Sequence, residues 1–325
     1  MRFFALHRTT AYRPVFAWFC YFSLVWITLL LFAGGVTTSI DAGMAFLDWP
    51  LSDGSINPPG WTADPAMRAE HSHRLLGMIL GNLCIVLVAW TQWREARTWV
   101  RRLALALLLV VILQGLLGGG RVLLDVRNQL KFENNALAQG FAVLHAIGAV
   151  VTLCLWLSLT VGCSRWWIER RAGLSESSLA AVRWWGVGLC GAILVQVLLG
   201  AVIRHKNVGL AIDTFPYSTQ AGDWLPVYWN WAVALNFAHR LGAVMISVLL
   251  VIVAVKIWRN SNLRATFGWM MLLPVGLTGL QVLLGAQLVW THLHAHVATA
   301  HQLMGALLLA ACWLITFACF RPALS

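Results

Sequence analysis

The chain has 325 residues, of which 60% are hydrophobic and only 11% charged, against about a quarter charged in soluble domains. With a mean hydropathy of +0.74, this excludes a water-soluble globular enzyme and indicates a polytopic membrane protein. The net charge of +11 would suit a nucleic-acid partner, but its distribution along the chain excludes that class too.

Eight apolar segments reach the roughly 20 residues that a helix needs to cross hydrocarbon. They fall at about 15–36, 73–93, 103–120, 140–162, 183–203, 238–258, 267–290 and 300–320. The expected fold is an all-α membrane protein whose eight transmembrane helices form two pseudo-symmetric four-helix bundles. The N-terminal residues, alternate connections and the C-terminus hold Arg2, Arg8, Arg13, Arg94, Arg97, Arg101, Arg102, Arg165, Arg170, Arg171, Arg183, Lys256, Arg259, Arg264 and Arg321. These 15 basic residues face only Glu95, Glu169 and Glu176; the opposite side holds 8 basic and 9 acidic residues. The excess marks the cytoplasmic face, so both termini are expected inside, with 40–69 and 204–236 outside. The first segment is too long for the core of a cleavable signal and reads as a retained span.

In chain order, the first segment closes in Gly34-Gly35-Val36-Thr37-Thr38-Ser39. A polar loop follows, with Asp41, Asp48, Asp53, Asp64 and the turn Asn57-Pro58-Pro59-Gly60, long enough to lid the bundle end. An acidic loop then runs into the second segment through Glu70-His71-Ser72-His73-Arg74-Leu75-Leu76-Gly77. The third segment ends in Gln114-Gly115-Leu116-Leu117-Gly118-Gly119, before a loop with Arg121, Asp125, Arg127, Lys131 and Glu133. His145 and Gly148 open the fourth. A cytoplasmic linker spans 164–182, separating an N-terminal half (1–163) from a C-terminal half (183–325). The second half repeats the grammar: Gln196-Val197-Leu198-Leu199-Gly200 ends the fifth segment and Asn236-Phe237-Ala238-His239-Arg240-Leu241-Gly242 opens the sixth. Gln281-Val282-Leu283-Leu284-Gly285 lies in the seventh, and His301-Gln302-Leu303-Met304-Gly305 opens the eighth. His73 and His239 are 166 residues apart, and His145 and His301 are 156 apart. This is an internal duplication in parallel orientation.

Charged and imidazole groups in hydrocarbon are costly and mark sites. Within each half, two histidines on alternate helices can approach a planar macrocycle from its two faces, and imidazole is the usual axial ligand of haem iron. Gly77, Gly148, Gly242 and Gly305 would relieve crowding there. Arg74 and Arg240 would meet propionates in paired hydrogen bonds. His71 lies about 160° around the helix from His73, and the match to His239-Arg240 selects His73. His7 and His205 carry no assignment. His292, His294 and His296 suggest copper or zinc, but fit a solvated loop better. Trp49, Trp61, Trp224, Trp229, Trp231 and Trp290 suit an interfacial belt. All seven cysteines lie in or beside apolar segments, as packing residues without metal-ligand spacing. The halves differ in one respect: Glu70, three residues before His73, has Asn236 as its counterpart. A site that moves protons uses a carboxylate; a fixed electron carrier does not. The first half is therefore read as holding a substrate and the second a fixed cofactor.

Eight spans, duplicated halves, Glu-x-x-His-Arg in the second segment and histidines opening the fourth, sixth and eighth resemble haem A synthase over essentially the whole chain. The resemblance implies an integral enzyme of the bacterial cytoplasmic (inner) membrane that serves cytochrome oxidase maturation. It would oxidise a ring methyl of haem O to the formyl group of haem A. His239 and His301 would hold the iron of a resident haem b, His73 and His145 would bracket the substrate haem, and Glu70 matches the family's essential glutamate. Haem O synthase and an electron-transfer protein are the implied partners; a homo-oligomer is left open. Some members carry cysteine pairs in the outer loops. This chain has none, so a thiol redox role does not carry over. The competing class is a duplicated di-haem b cytochrome exchanging electrons with quinone, which explains the histidines but not the Glu70/Asn236 difference. A transporter or assembly scaffold explains neither the repeat nor the arginines well.

Overall fold

Polar caps, not the apolar windows, decide where the helices begin. In the computed structural model, which describes residues 8–129, 135–169 and 175–320, α2 (Pro65–Arg94) starts where Asp64 accepts the Met67 N–H at 2.8 Å. A proline at the first helical position suits a start that needs no amide donor. Asn135 caps α4 (Ala136–Gly162). Ser175 and Asn230 do the same for α6 (Glu176–His205) and α7 (Trp231–Arg259). Each of these helices starts several residues before its apolar segment. Glu70 consequently lies inside α2 and not on a loop at its mouth, which corrects the expected loop-to-helix junction. Arg2, His7, Lys131, Glu133, Arg170, Arg171 and Arg321 fall outside the described residues, as does the side chain of Arg127.

The remaining elements are α1 (Pro14–Ser39), α3 (Thr98–Gln129), α5 (Arg165–Glu169), α8 (Ser261–Phe267), a 3-10 turn at Trp269–Met271, α9 (Leu272–Trp290) and α10 (Ala295–Ala318). α3 runs about two turns beyond the expected end, and its extension carries an Arg121–Asp125 pair at 3.4 Å. The stretch read as a linker contains α5, closed by Arg165 Nε to Glu169 at 2.6 Å, and the first turns of α6. Among the described residues, eight helices are long and apolar enough to cross a membrane; the chain is an all-α, multi-pass membrane protein.

The chain divides into two compact units, Met1–Arg171 and Ala172–Ser325. In the first, α1 packs on α2, α2 on α3, α3 on α4 and α4 back on α1, closing a four-helix bundle. In the second, α6 pairs with α7, α9 with α10, and α6 with α10, with α7 also touching α9. Small residues let these backbones approach. Ala17, Cys20 and Ser23 line one buried face of α1, where Thr160 reaches the Cys20 carbonyl at 3.3 Å. Large apolar side chains such as Trp18, Phe22, Leu109, Ile112, Val244 and Val248 remain exposed, as a bundle solvated by lipid requires. All seven cysteines are buried, and none forms a disulfide.

Candidate functional site

Each histidine rests against a glycine of the neighbouring helix. A Cβ on Gly34 would lie 2.8 Å from Cε1 of His73, and one on Gly118 3.2 Å from Cε1 of His145. In the second unit the corresponding distances are 3.3 Å from Gly200 to His239 and 3.4 Å from Gly285 to His301. The glycine that closes each Leu-Leu-Gly signature, and Gly34 in α1, is thus a seat for an imidazole. The spacing displayed these glycines, but nothing in it linked them to histidines on another helix.

The seating brings His73 and His145 together inside the first bundle. Their ring centres are 6.3 Å apart and the planes cross at 88°. Two imidazoles binding one iron from opposite faces, each through a nitrogen about 2 Å from the metal, have centres about 6 Å apart. His145 Nδ1 lies 3.0 Å from the Gln114 carbonyl, a contact in which the nitrogen must donate, leaving Nε2 with its lone pair for a metal. The His73 and His301 rings lie against the backbone of Leu30 and of Gln281, while Nδ1 of His239 is buried with no hydrogen-bond partner. The two second-unit imidazoles lie close enough to act on each other electrostatically. Glycine seats and a pair of buried imidazoles on facing helices fit a haem in each unit.

Room for a macrocycle was expected at Gly148, Gly242 and Gly305, and there the structure corrects the sequence. A Cβ at these positions would collide with the side-chain amides of Gln114, Gln196 and Gln281. The glycines make space for glutamines one helical turn from the seats, and Gln196 Nε2 donates to the His239 carbonyl at 2.7 Å. Of the four glycines expected to make room, Gly77 alone faces open space.

The loops over the histidine ends are fastened by arginine. Arg74 Nη1 donates to the carbonyls of Asp48, at 2.8 Å, and Leu51; Nη2 donates to Phe46 at 3.3 Å. Arg240 Nη2 donates to Ile212 and Thr214 at 3.1 and 2.6 Å, and Nη1 to Tyr217 at 3.1 Å. The two sets of carbonyls keep the 166-residue shift of the histidines, so the duplication extends through the loops. Arg74 also holds the Glu70 carboxylate at 2.6 Å, and the second Glu70 oxygen accepts the Phe46 N–H at 3.0 Å. Asn236 instead donates to the Val208 carbonyl at 2.6 Å. Partial burial raises the Asp48 carboxyl, but hydrogen bonds from the Gly54 and Asp53 N–H groups and the Arg74 charge outweigh it, so the group ionises below its ordinary value.

His71 points into the same loop and not toward His73. Its Nε2 donates to the Ile56 carbonyl at 3.1 Å, and its Nδ1 lies 2.9 Å from Ser52 Oγ. His205 ends α6. His292, His294 and His296 are exposed, and no group of three or more metal-ligating side chains occurs among the described residues.

A family model described as cytochrome oxidase assembly protein (COX15-CtaA) matches residues 17–313. The chain is 27% identical over 289 residues to a protein of Halalkalibacterium halodurans named Heme A synthase, covering 87% of this chain and 89% of that one. It is 28% identical over 291 residues to the Heme A synthase of Geobacillus kaustophilus, covering 87% and 85%. A third, from Lysinibacillus sphaericus, is 27% identical over 301 residues, covering 90% and 91%. With the family model reaching from α1 into α10 and enclosing all four seated histidines, the chain belongs to the COX15-CtaA family of cytochrome oxidase assembly proteins.

Proposed function

We propose that this protein is a haem A synthase, an oxidoreductase that converts the ring methyl of haem O to the formyl group of haem A. The observation that carries the reading is the pair His73 and His145, whose 6.3 Å centre separation suits a haem ligated on both faces, beside the Glu70 carboxylate where the second unit has Asn236. His73 and His145 bracket the substrate haem; His239 and His301 hold a resident haem b, which supplies electron transfer when bound.

The rest is done by the chain's own side chains. Nδ1 of His145 donates to the Gln114 carbonyl and so fixes that ring's tautomer and direction. Glycine seats set the imidazoles against the neighbouring backbone. Loop 40–64, fastened by Arg74, limits water at the histidine end. Oxidising a methyl to an aldehyde by way of an alcohol takes from one carbon protons and electrons, the electrons going to a membrane partner, and adds one oxygen atom, balanced here as water. A carboxylate can accept those protons or steady a developing positive charge, and an amide cannot. Glu70, one turn from His73 on α2, is assigned that role. Arg74 and Arg240 are the assigned propionate contacts. The enzyme sits in the bacterial cytoplasmic membrane with both termini inside, receiving haem O from its synthase and exchanging electrons with a membrane partner.

Extraction and mass analysis of the pigments from purified protein tests the reading. Haem O or haem A beside haem B is expected; two equivalents of haem B alone, with no conversion of added haem O, would return the protein to the electron carriers.

A further inference from the structure

Arg74 and Arg240 share a register position but not an electrostatic situation. Arg240 holds the carbonyls of Ile212, Thr214 and Tyr217, and Asn236 adds no charge. Arg74 makes the same three-carbonyl grip and also binds Glu70 at 2.6 Å, with the two side chains only 12% and 5% exposed. A carboxylate this close, away from water, cancels much of the guanidinium's pull on any other anion. The geometry sharpens the conflict. Nη1 is occupied by Asp48 and Leu51. That leaves the Nε–Nη2 edge for a two-pronged grip on a carboxylate, and there Nη2 gives one hydrogen to the Phe46 carbonyl and the other to Glu70.

The substrate proposed above carries propionate carboxylates. We propose that Arg74 is an exchange point, where a propionate of the incoming haem displaces the Glu70 carboxylate and substrate binding itself releases Glu70 to act. This rests on the reading of the first unit as the substrate site. No covalent bond changes. One ion pair replaces another, Arg74 stays neutralised, and the Glu70 charge passes to the reacting pocket, tethered by the Phe46 N–H. Glu70 is thereby held away from chemistry until a carboxylate-bearing haem arrives. Nothing comparable occurs at Arg240, where an anion meets no resident competitor on α7.

The experiment is a Soret titration of the full-length protein, with the resident haem in place, using ferric haem b as the free acid and as its dimethyl ester. The Asp48 carboxylate stays 4.0 Å from Nη1, but Glu70→Gln removes the nearer competitor at 2.6 Å, so it should bind the free acid about tenfold more tightly than the parent protein, with ester affinity unchanged. Arg74→Gln should lose the preference for acid over ester, and Glu70→Gln combined with Arg74→Gln should show no tightening. Glu70→Gln protein with its resident Soret band intact but equal or weaker acid affinity would overturn the proposal. So would equal tightening toward acid and ester. A mirror variant in the other unit does not depend on the folding of Glu70→Gln. Asn236→Glu should install the missing competitor and speed resident-haem loss to an apo-globin scavenger about tenfold; an unchanged rate counts against the exchange. Turnover of haem O is scored separately: wild-type protein that never converts it sinks the substrate-site reading, whereas an unchanged Glu70→Gln affinity sinks the exchange alone.

Discussion

The two units present the same frame with one charge changed. Both seat two imidazoles on glycines, and both tie a loop to an arginine through three carbonyls at a constant 166-residue shift. Three residues before the histidine of the histidine-arginine pair, however, one has a buried glutamate bound to that arginine and the other an asparagine bound to a carbonyl. On the function proposed above, the scaffold for gripping a haem is thus separable from the chemistry done on it. A duplicated frame can keep one copy as a fixed cofactor holder while the other acquires a reactive group.

The comparison breaks most directly through the ligands. His239→Ala or His301→Ala should abolish the bound low-spin spectrum of the resident haem, because each removes one axial donor from iron; His205→Ala should leave it. A double variant at 239 and 301 that kept a normal low-spin spectrum would end the division of labour between the units. Next in size is Glu70→Gln, expected to retain the resident haem and stop haem A formation. Chromatography of haems from cells with that variant as their only copy should show haem O or its alcohol; normal haem A would reduce Glu70 to a partner of Arg74.

Smaller effects sharpen the contrast. The seat at Gly34 is tighter than the seat at Gly285, 2.8 against 3.4 Å. Gly34→Ala should therefore displace His73 and weaken haem binding in the first unit several-fold, at a strain of about 1–3 kcal/mol, while Gly285→Ala leaves the resident spectrum unchanged. Equal effects at the two seats would deny the difference. Arg240→Gln should loosen loop 206–230, costing about 1–3 kcal/mol for the orphaned carbonyls, seen as faster amide exchange there. The mildest effect is at Asp48. Its lowered ionisation means that its stabilisation of loop 40–64 is complete above its unfolded value and lost as pH falls through the lower folded one. Exchange at the Gly54 amide should rise only in strong acid, and Asp48→Asn should remove that dependence.

Much of this was legible in the sequence because it is local or periodic. Hydropathy located eight spans, and the repeat of a four-helix unit located four histidines and the Glu70/Asn236 difference. Helix starts were misplaced because caps such as Asp64 and Asn230 are polar and sit a turn or more before the apolar windows. The seats and arginine ties were out of reach for another reason. Arg74 meets carbonyls 23–28 residues away, and a carbonyl has no side-chain identity to read. Gly148, Gly242 and Gly305 show the same limit, since spacing fixes the face of a helix but not whether a neighbouring glutamine or a ligand fills the space beside it.

The burial of every cysteine carries a practical consequence. A membrane-impermeant thiol reagent should find almost nothing to modify in the native protein, since the most accessible thiol, Cys154, is only 7% exposed. One cysteine placed at the exposed Ala63 would then report the sidedness of the α1–α2 loop without first stripping the chain of its own sulfur. Labelling from outside intact cells would put the histidine end of the first unit on the far side from the cytoplasm; labelling only after the cells are broken would reverse the assigned orientation.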